Sequence, residues 1–219
     1  LLLAMDIMYL RKECKKWYDC ILYAVFIIFL DKTANSRTAE AIIAMLIVIH
    51  LLSIIMQRNW FHKMMVLFTS GAFLLCVGIP FIGSYLYIHK PELFLQHDGT
   101  MLSRIQLTTT FYLRNGGFGF YGFPIEDQDC LDMMFSYIGL HWGTAAFIII
   151  SAAIIYAIYK ASREQHTSFL ILLFFFLVYG WAEVAPIYPV YSYLSLLLGY
   201  YIMNRKPFYC KRPYTCANF

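Results

Sequence analysis

Three arginines and two acids are the residues of this chain whose types and positions suit chemistry. Two of the arginines lie in TMLSRIQLTTTFYLRNGGFGFYGFPIEDQDCLD, residues 100–132, the only long stretch without a strong hydrophobic run. An arginine fork binds phosphate oxygens bidentately and stays charged near a membrane, whereas a carboxylate can accept a proton as a general base. The pattern therefore indicates anion binding combined with proton transfer. The five candidates are Arg37, Arg104, Arg114, Asp132 and Glu183.

The composition places these residues in a membrane protein. Hydrophobic residues make up 61% of the chain and charged residues 14%, with a mean hydropathy of +0.62, whereas soluble domains are about 45–50% apolar. Glycine-rich phosphate-binding patterns are absent, and no basic stripe outside the predicted cytoplasmic ends suits nucleic acid. The scattered cysteines form neither a disulfide framework nor a zinc ligand set. We therefore expect no metal and no cofactor.

Apolar runs predict where the chain crosses the membrane. A helix needs about 20 residues to cross a hydrocarbon core of about 30 Å. One helix over 168–203 would measure about 54 Å at about 1.5 Å per residue, so this run is predicted to be a hairpin broken at GWAEVAPIYP. The predicted fold is an all-α, polytopic membrane helix bundle of about six transmembrane helices with one large, partly helical extracytoplasmic loop. The apolar runs are 17–30, 39–56, 64–88, 133–159 and 168–203.

The basic residues predict the orientation of this bundle. Twelve of the 17 lysines and arginines fall in RKECKK, QRNWFHK, KASREQH and the C-terminal tail, all on one predicted side. By the positive-inside tendency this side is cytoplasmic, so both ends of the chain are cytoplasmic. All five candidates then lie at the outer surface, where a charge is costly unless it is paired or lines a wet cavity. Helix packing can bring them into one polar pocket.

The chain divides into five parts on this interpretation. LLLAMDIMYL precedes a basic cluster, whereas a secretory signal follows one, so we interpret it as the tail of an earlier span and expect the chain to be truncated. The parts are the end of an earlier helix with a basic cytoplasmic segment (1–16), three transmembrane helices (17–88), the extracytoplasmic loop (89–131), a transmembrane helix with a helical hairpin (132–203) and a basic cytoplasmic tail (204–219).

Five short motifs occur in the order found in one family. They are TANSRTA with Arg37, LSRIQL with Arg104, FYGFPI closing the loop, LDMMFSYIGLHWG with Asp132, and YGWAE with Glu183. In this order, over roughly 17–203, the chain resembles the C-terminal half of Wzy-type polymerases. These integral membrane enzymes join lipid-linked repeat units of O-antigen and of capsular or exopolysaccharide outside the cytoplasmic membrane. The resemblance implies a multi-pass protein of the bacterial cytoplasmic membrane.

The resemblance also implies a reaction, namely metal-independent glycosyl transfer without a nucleotide sugar. The donor is expected to be a glycan chain on undecaprenyl diphosphate, and the acceptor a sugar hydroxyl of another lipid-linked repeat unit. Other expected partners are the lipid bilayer and chain-length regulator and flippase proteins, with no nucleic acid. Arg37, Arg104 and Arg114 are expected to neutralise the diphosphate leaving group. Glu183, with Asp132 as second candidate, is expected to act as the catalytic base.

Structural roles compete with these functional ones. Asp132 is placed to cap the following helix, Arg37 can cap a helix and extend to the head groups, and Glu183 can form an internal ion pair. Arg104 can pair with an acid of the same loop, Asp98 or Asp129.

Two histidines and one aromatic tract have similar alternatives. His97 suits a solvated loop, and His141 suits a hydrogen-bonded core position within the helix that follows Asp132. The tract NGGFGFYGF can stack on sugars, and it can equally anchor the loop at the membrane interface.

Three other interpretations of the whole chain stay open. An O-antigen ligase shares the donor chemistry, and an inactive fragment would still insert in membranes. A glycolipid flippase or another transporter typically carries charged residues through the middle of several spans, with broken helices in paired halves. Here the residues that depart from clustering at the outer surface are Glu40, His50, Gly78 and Pro80.

Replacing Glu183 by glutamine tests the predicted base. Glu183→Gln keeps the shape of the side chain and removes its ionisable group, so we expect normal membrane insertion but no elongation of the glycan. The measurement is the surface glycan on a gel beside a blot of the membrane fraction. Full-length polymer from this variant would assign Glu183 to packing.

Overall fold

The structure is a computed structural model, and it describes residues 37–94, 100–125, 131 and 133–182 together with positions 21, 24, 25, 28, 199, 202 and 203. Within these residues every regular element is a helix, which confirms the predicted all-α class. A 3-10 turn covers Pro91–Leu93 and a π-helical turn covers Ile138–Trp142. The α-helices are α1 (Arg37–Ile55), α2 (Arg58–His89), α3 (Thr100–Arg114), α4 (Met134–Tyr137), α5 (Thr144–Arg163) and α6 (Thr167–Ala182).

Two of these helices are long and apolar enough to cross a membrane. They are α2, about 48 Å long at about 1.5 Å per residue, and α5. Only 33% and 22% of their apolar windows are buried inside the protein, so neither is a core helix shielded from its surroundings. Leu67 and Leu74 on α2 are 68% and 67% exposed. Shorter apolar helices cover Glu40–Ile55 and Thr167–Trp181, and the bundle of six spans stays a prediction.

The helix at the centre of the bundle is α6. It contacts α1, α2, α4 and α5, and its most extensive contact is with α2. Most of its side chains are apolar, large and buried, as a helix that is hydrophobic all round requires. The fully or almost fully buried ones include Leu170, Leu173, Phe175, Phe176 and Leu177.

Three side chains of α2 bind α6, and they are spaced seven residues apart. Seven residues make about two helical turns, so His62, Thr69 and Cys76 lie on one face of α2. Their partners are the Thr167 hydroxyl at 2.9 Å, the Leu170 carbonyl at 3.1 Å and the Leu177 carbonyl at 2.7 Å. Because the partner numbers rise together along both helices, α2 and α6 run parallel.

His62 also joins the two helices to the end of α5. Its Nε2 lies 3.2 Å from the Ser162 carbonyl, which only accepts, so in the neutral imidazole Nε2 donates and Nδ1 accepts from the Thr167 hydroxyl. The segments QRNWFHK and KASREQH therefore lie at the same end of the bundle, which we call the inner end. Placing these two basic segments on one side was part of the predicted orientation.

The opposite end of the bundle, the outer end, follows from the helix directions. Only Met56 and Gln57 separate α1 from α2, and α1 packs against α6 through buried residues along its length. Helix α1 therefore runs back from the inner end, and Arg37 begins it at the outer end. The last turn of α2, the start of α5 at Thr144 and the last described turn of α6 lie at this end too.

The structure corrects one expectation about helix continuity and agrees with another. The run 133–159 was predicted as one span, but α4 and the π-helical turn end at Gly143, whose φ of 92° interrupts the helix before α5 begins. The segment Met133–Leu140 is buried in the protein instead of facing lipid. The run 64–88, predicted as one span, does lie within the single helix α2, which continues through Gly78 and Pro80.

The hydrogen bonds of His62 predict a stability effect. His62→Leu replaces the imidazole with an apolar side chain of similar size. The Ser162 carbonyl and the Thr167 hydroxyl then lose this hydrogen-bond partner. We expect a loss of about 1–3 kcal/mol, or a fall of about 3–10 °C in the melting temperature of the detergent-purified protein. The control is Lys63→Ala at the exposed neighbouring position. Equal melting temperatures for both variants would contradict the role assigned to His62.

Candidate functional site

The outer end is built around the close approach of α3 to the second half of α2. Gly83 of α2 lies against Ile105 of α3, and a Cβ at Gly83 would come within 2.8 Å of the Ile105 Cδ1 atom. Three residues further along α3, the Thr108 hydroxyl donates to Ser136 Oγ at 3.3 Å. This hydrogen bond joins α3 to α4. The predicted extracytoplasmic loop thus contains a helix that packs against the bundle.

The glycine-aromatic tract, residues 115–123, also packs against the bundle. The Phe123 amide donates to the Leu140 carbonyl at 2.9 Å, and the Thr144 amide donates to the Gly119 carbonyl at 3.0 Å. These bonds satisfy backbone groups at the end of the π-helical turn and the start of α5, which would otherwise lack partners. The tract therefore caps α5, a role that neither stacking on sugars nor interfacial anchoring had anticipated.

Two glycines make this docking possible. Gly122 and Gly143 have φ angles of 78° and 92°, in the region that L side chains rarely adopt. A Cβ at Gly122 would overlap the His141 carbonyl, and a Cβ at Gly143 would overlap the Gly122 amide nitrogen. The backbones of the tract and of the π-helical turn thus touch where only glycine fits.

His141 stabilises the same junction. Its Nδ1 donates to the Phe123 carbonyl at 2.8 Å from a half-buried position. The expected hydrogen-bonded role of His141 is found. Its expected place in a continuous helix is wrong, because it lies in the π-helical turn. Such turns are rare in proteins as a whole, but those that occur are frequently found at functional sites.

An apolar cavity of about 430 Å³ lies beside this junction. Phe81 of α2 is its central wall, with ring centroids 5.3 Å from Phe118 and 5.4 Å from Phe147. Gly139 of the π-helical turn faces all three rings, since an added Cβ would lie 3.4–3.6 Å from them. The cavity therefore suits an apolar ligand. Its lining residues are Val77, Phe81, Phe118, Gly139, Thr144 and Phe147.

A second pocket, of about 210 Å³, opens between α2 and α3. It shares Phe81 and Phe118 with the apolar cavity, so the two are neighbours. Its lining includes four residues with hydroxyl groups and one with an imidazole, which are Ser84, Tyr85, Thr108, Tyr112 and His89. We call it the hydroxyl pocket. Together the two cavities offer, at the outer end, one compartment with an almost wholly apolar lining and one in which hydroxyl groups and an imidazole accompany apolar surface.

Two of the predicted arginines lie on α3. Arg104 is half-buried with its Nε atom removed from solvent, and it precedes Thr108 by one helical turn on the same face. Arg114 ends α3, is exposed, and lies 5.2 Å over the Phe111 ring in a cation–π contact. The two arginines are ten residues apart on α3, so their Cα atoms are about 15 Å from each other. They therefore lie at different ends of this helix.

The other predicted site residues are only partly covered. Arg37 is the first residue of α1, with its backbone at the outer end and its side chain outside the described atoms. Asp132 and Glu183 lie outside the described residues, as do His97, Asp98 and Asp129. A single polar pocket formed by all five candidates stays a prediction.

Within the described residues, no group of three or more histidine, cysteine or acidic side chains could hold a metal ion. No family model, no curated protein and no solved structure matches this chain. The residues at the outer end are therefore interpreted from their own geometry and from the sequence motifs.

The structure adds two polar residues that the sequence did not single out for this end. Glu40, which had seemed to lie apart from the outer cluster, is in the first turn of α1. Its Oε1 is buried, with no hydrogen-bond partner in the part of the chain that is described. Ser84 lines the hydroxyl pocket and is likewise without a partner there. A serine within an apolar helix carries no sequence signal that distinguishes it from a packed one.

The Gly122 contact predicts a large effect of one methyl group. Gly122→Ala places a Cβ against the His141 carbonyl and fixes an unfavourable φ, so we expect a loss of about 3 kcal/mol or more. Gly116→Ala is the matched control, because Gly116 also has a positive φ, 71°, but has nothing within 4 Å of an added Cβ. It should lose only about 1–2 kcal/mol. Thermal unfolding in detergent measures both, and equal losses would mean that the tract does not dock here.

Proposed function

We propose that this protein polymerises lipid-linked oligosaccharide repeat units into surface polysaccharide at the outer face of the bacterial cytoplasmic membrane. The observation that supports this proposal best is the pair of neighbouring cavities at the outer end. One is apolar, the other carries hydroxyl groups, and Phe81 and Phe118 belong to both. A lipid-linked sugar needs such a pair of compartments, because its carrier is a hydrocarbon and its cargo is hydroxylated.

The apolar compartment suits the polyprenyl carrier. It lies between α2 and α5, the two helices that are long enough to span a membrane and largely exposed on their apolar faces. A hydrocarbon chain entering from the bilayer would pass from lipid to the Phe81, Phe118 and Phe147 rings without crossing a charged side chain of the lining. Transfer of apolar surface between two apolar surroundings costs little.

The arginines suit the diphosphate that joins carrier and sugar. Arg104 is on the helix that forms one wall of the hydroxyl pocket, one turn from Thr108. Partial burial strengthens its attraction for a phosphate, because fewer water molecules screen the charge. Arg37 begins α1 at the same end of the bundle, and Arg114 ends α3. We assign Arg104 and Arg37 to the leaving diphosphate and Arg114 to a supporting role.

The proposed reaction exchanges one carbon–oxygen bond for another. An acceptor hydroxyl oxygen bonds to the anomeric carbon of the donor glycan, while the bond from that carbon to the diphosphate oxygen breaks. The diphosphate leaves with the electron pair and is stabilised by the arginines. The hydroxyl proton passes to Glu183, our first candidate for the base, with Asp132 as the second. Both acids lie outside the described residues, so this assignment rests on the motifs YGWAE and LDMMFSYIGLHWG.

Arg104→Ala tests this proposal. The complete gene that encodes this chain is expressed in a strain that lacks its own repeat-unit polymerase, and the surface glycan is separated on a gel. We expect a ladder with the wild type and single repeat units with Arg104→Ala, because the diphosphate loses its charge-assisted hydrogen bonds. The matched control is Arg163→Ala, which removes an exposed guanidinium at the inner end and should leave the ladder unchanged.

Each other outcome has its own meaning. A normal ladder from Arg104→Ala would remove Arg104 from the mechanism. Loss of the ladder in both arginine variants would indicate a general effect of charge on insertion. Export of single capped units without a ladder from the wild type would exclude polymerisation and favour a transporter or an inactive fragment. Transfer of a finished polymer made by another enzyme would favour a ligase.

A further inference from the structure

Ser84 and Ser151 are the hydroxyl residues of the described helices whose Oγ atoms are buried without a hydrogen-bond partner in the described part of the chain, and of these two only Ser84 lines one of the two cavities. It is 9% exposed, and its Oγ atom has no hydrogen-bond partner in the part of the chain that is described. Thr69 and Thr109, by contrast, donate to the carbonyl four residues earlier, each at 2.7 Å, as hydroxyls in apolar helices usually do. A buried hydroxyl without a partner is unfavourable. Ser84 is one of the residues that line the hydroxyl pocket, which makes a molecule bound in that pocket a candidate for the missing partner.

The walls around Ser84 combine flat rings with hydroxyl groups. The rings of Tyr112 and Phe118 are 5.1 Å apart, and those of Phe118 and Phe81 are 5.3 Å apart, which gives a continuous aromatic wall. The Thr108 hydroxyl donates to Ser136 Oγ of α4. Among the described lining residues there is no aspartate, glutamate, lysine or arginine, and the one titratable group besides the tyrosines is the His89 imidazole. The described lining therefore has no carboxylate and no permanent cation.

We infer that the hydroxyl pocket binds an uncharged sugar ring, with Ser84 hydrogen-bonding a ring hydroxyl and with Tyr112 and Phe118 packing against its carbon–hydrogen face. The inference deepens the proposed function and rests on it for the source of the sugar. A sugar ring presents hydroxyls at its edge and carbon–hydrogen bonds on its faces, which matches hydrogen-bonding groups next to aromatic faces. An apolar chain would leave Ser84 without a partner, and an anionic sugar would meet no lysine or arginine in the described lining.

The size of the pocket is consistent with one ring. Its 210 Å³ equal the volume of about seven water molecules at about 30 Å³ each. Among the described residues that line the larger apolar cavity, Thr144 is the one with a hydroxyl group. This hydroxyl already donates to the Gly119 carbonyl at 3.2 Å. The sugar is therefore assigned to the smaller pocket, and the larger one is left to hydrocarbon.

Sugar binding by the purified protein tests this inference directly. The protein is reconstituted in lipid nanodiscs and titrated with the methyl glycosides of glucose, galactose, mannose and N-acetylglucosamine, and with methyl glucuronide as the charged comparison. Binding is followed by saturation transfer from the aromatic protons of the protein to the sugar. We expect at least one neutral glycoside to bind and the glucuronide to bind at least tenfold more weakly.

Two serine variants identify the pocket. Ser84→Ala should weaken binding of the neutral glycoside by about tenfold, the effect of one hydrogen bond. Ser151→Ala is the matched control, because the Ser151 Oγ is also buried without a partner in the described part of the chain but lies on α5, outside both cavities. It should leave binding unchanged. Removing one oxygen atom is a small change, and equal melting temperatures of the two variants would show that both are folded.

The outcomes separate the sugar pocket from the proposed function. No binding of any neutral glycoside, equal effects of the two serine variants, or equally tight binding of the glucuronide would overturn the pocket, even if the wild-type gene gives a glycan ladder. Binding that depends on Ser84, together with the absence of a ladder from the wild-type gene, would support the pocket and overturn only the polymerase. Binding that depends on Ser84, together with a ladder that Ser84→Ala shortens, would support both.

Discussion

The parallel contact between α2 and α6 determines where every other helix can lie. Between helices in an apolar environment, close packing and hydrogen bonds fix the register more than the hydrophobic effect does. Here an imidazole, a hydroxyl and a thiol, each two turns from the next on α2, contact groups at positions 167, 170 and 177 of α6, in the same order along the chain. Because the two helices start together, α5 must run in the opposite direction between the end of the outer segment and the start of α6. The same contact explains why the basic segments of α2 and α5 share one end.

The outer end depends on a different constraint, which is that polar backbone groups must find partners wherever the chain leaves the helical conformation. The chain meets this constraint by laying residues 115–123 against the π-helical turn and the start of α5. Two glycines with positive φ permit the contact. The non-helical backbone is thereby held in place, and the Phe118 ring of the tract lines both cavities.

The sequence predicted the parts of this structure that depend on composition. The helical class, the start of α1 at Arg37 and a long helix around 64–88 all follow from apolar runs and from charges at their ends. The break before α5 could not be predicted in this way, because the residues MMFSYIGL, 133–140, are as apolar as a lipid-facing helix although they are buried in protein. Periodicity alone does not distinguish apolar residues in contact with lipid from apolar residues in contact with other helices. For the site, the motifs identified charges, whereas the cavities arise from contacts between distant segments such as Phe81, Phe118 and Phe147.

The length of α2 has a consequence for the position of the hydroxyl pocket in a bilayer. At about 48 Å, α2 exceeds a hydrocarbon layer of about 30 Å, so in a membrane it must tilt strongly or extend beyond the acyl chains. Ser84 lies in the last two turns of the helix, so the pocket would lie near one face of a bilayer that α2 crosses and not at its centre. A change in bilayer thickness would alter the tilt of the whole bundle before it altered the contacts within it, and would so raise or lower the pocket relative to the water layer.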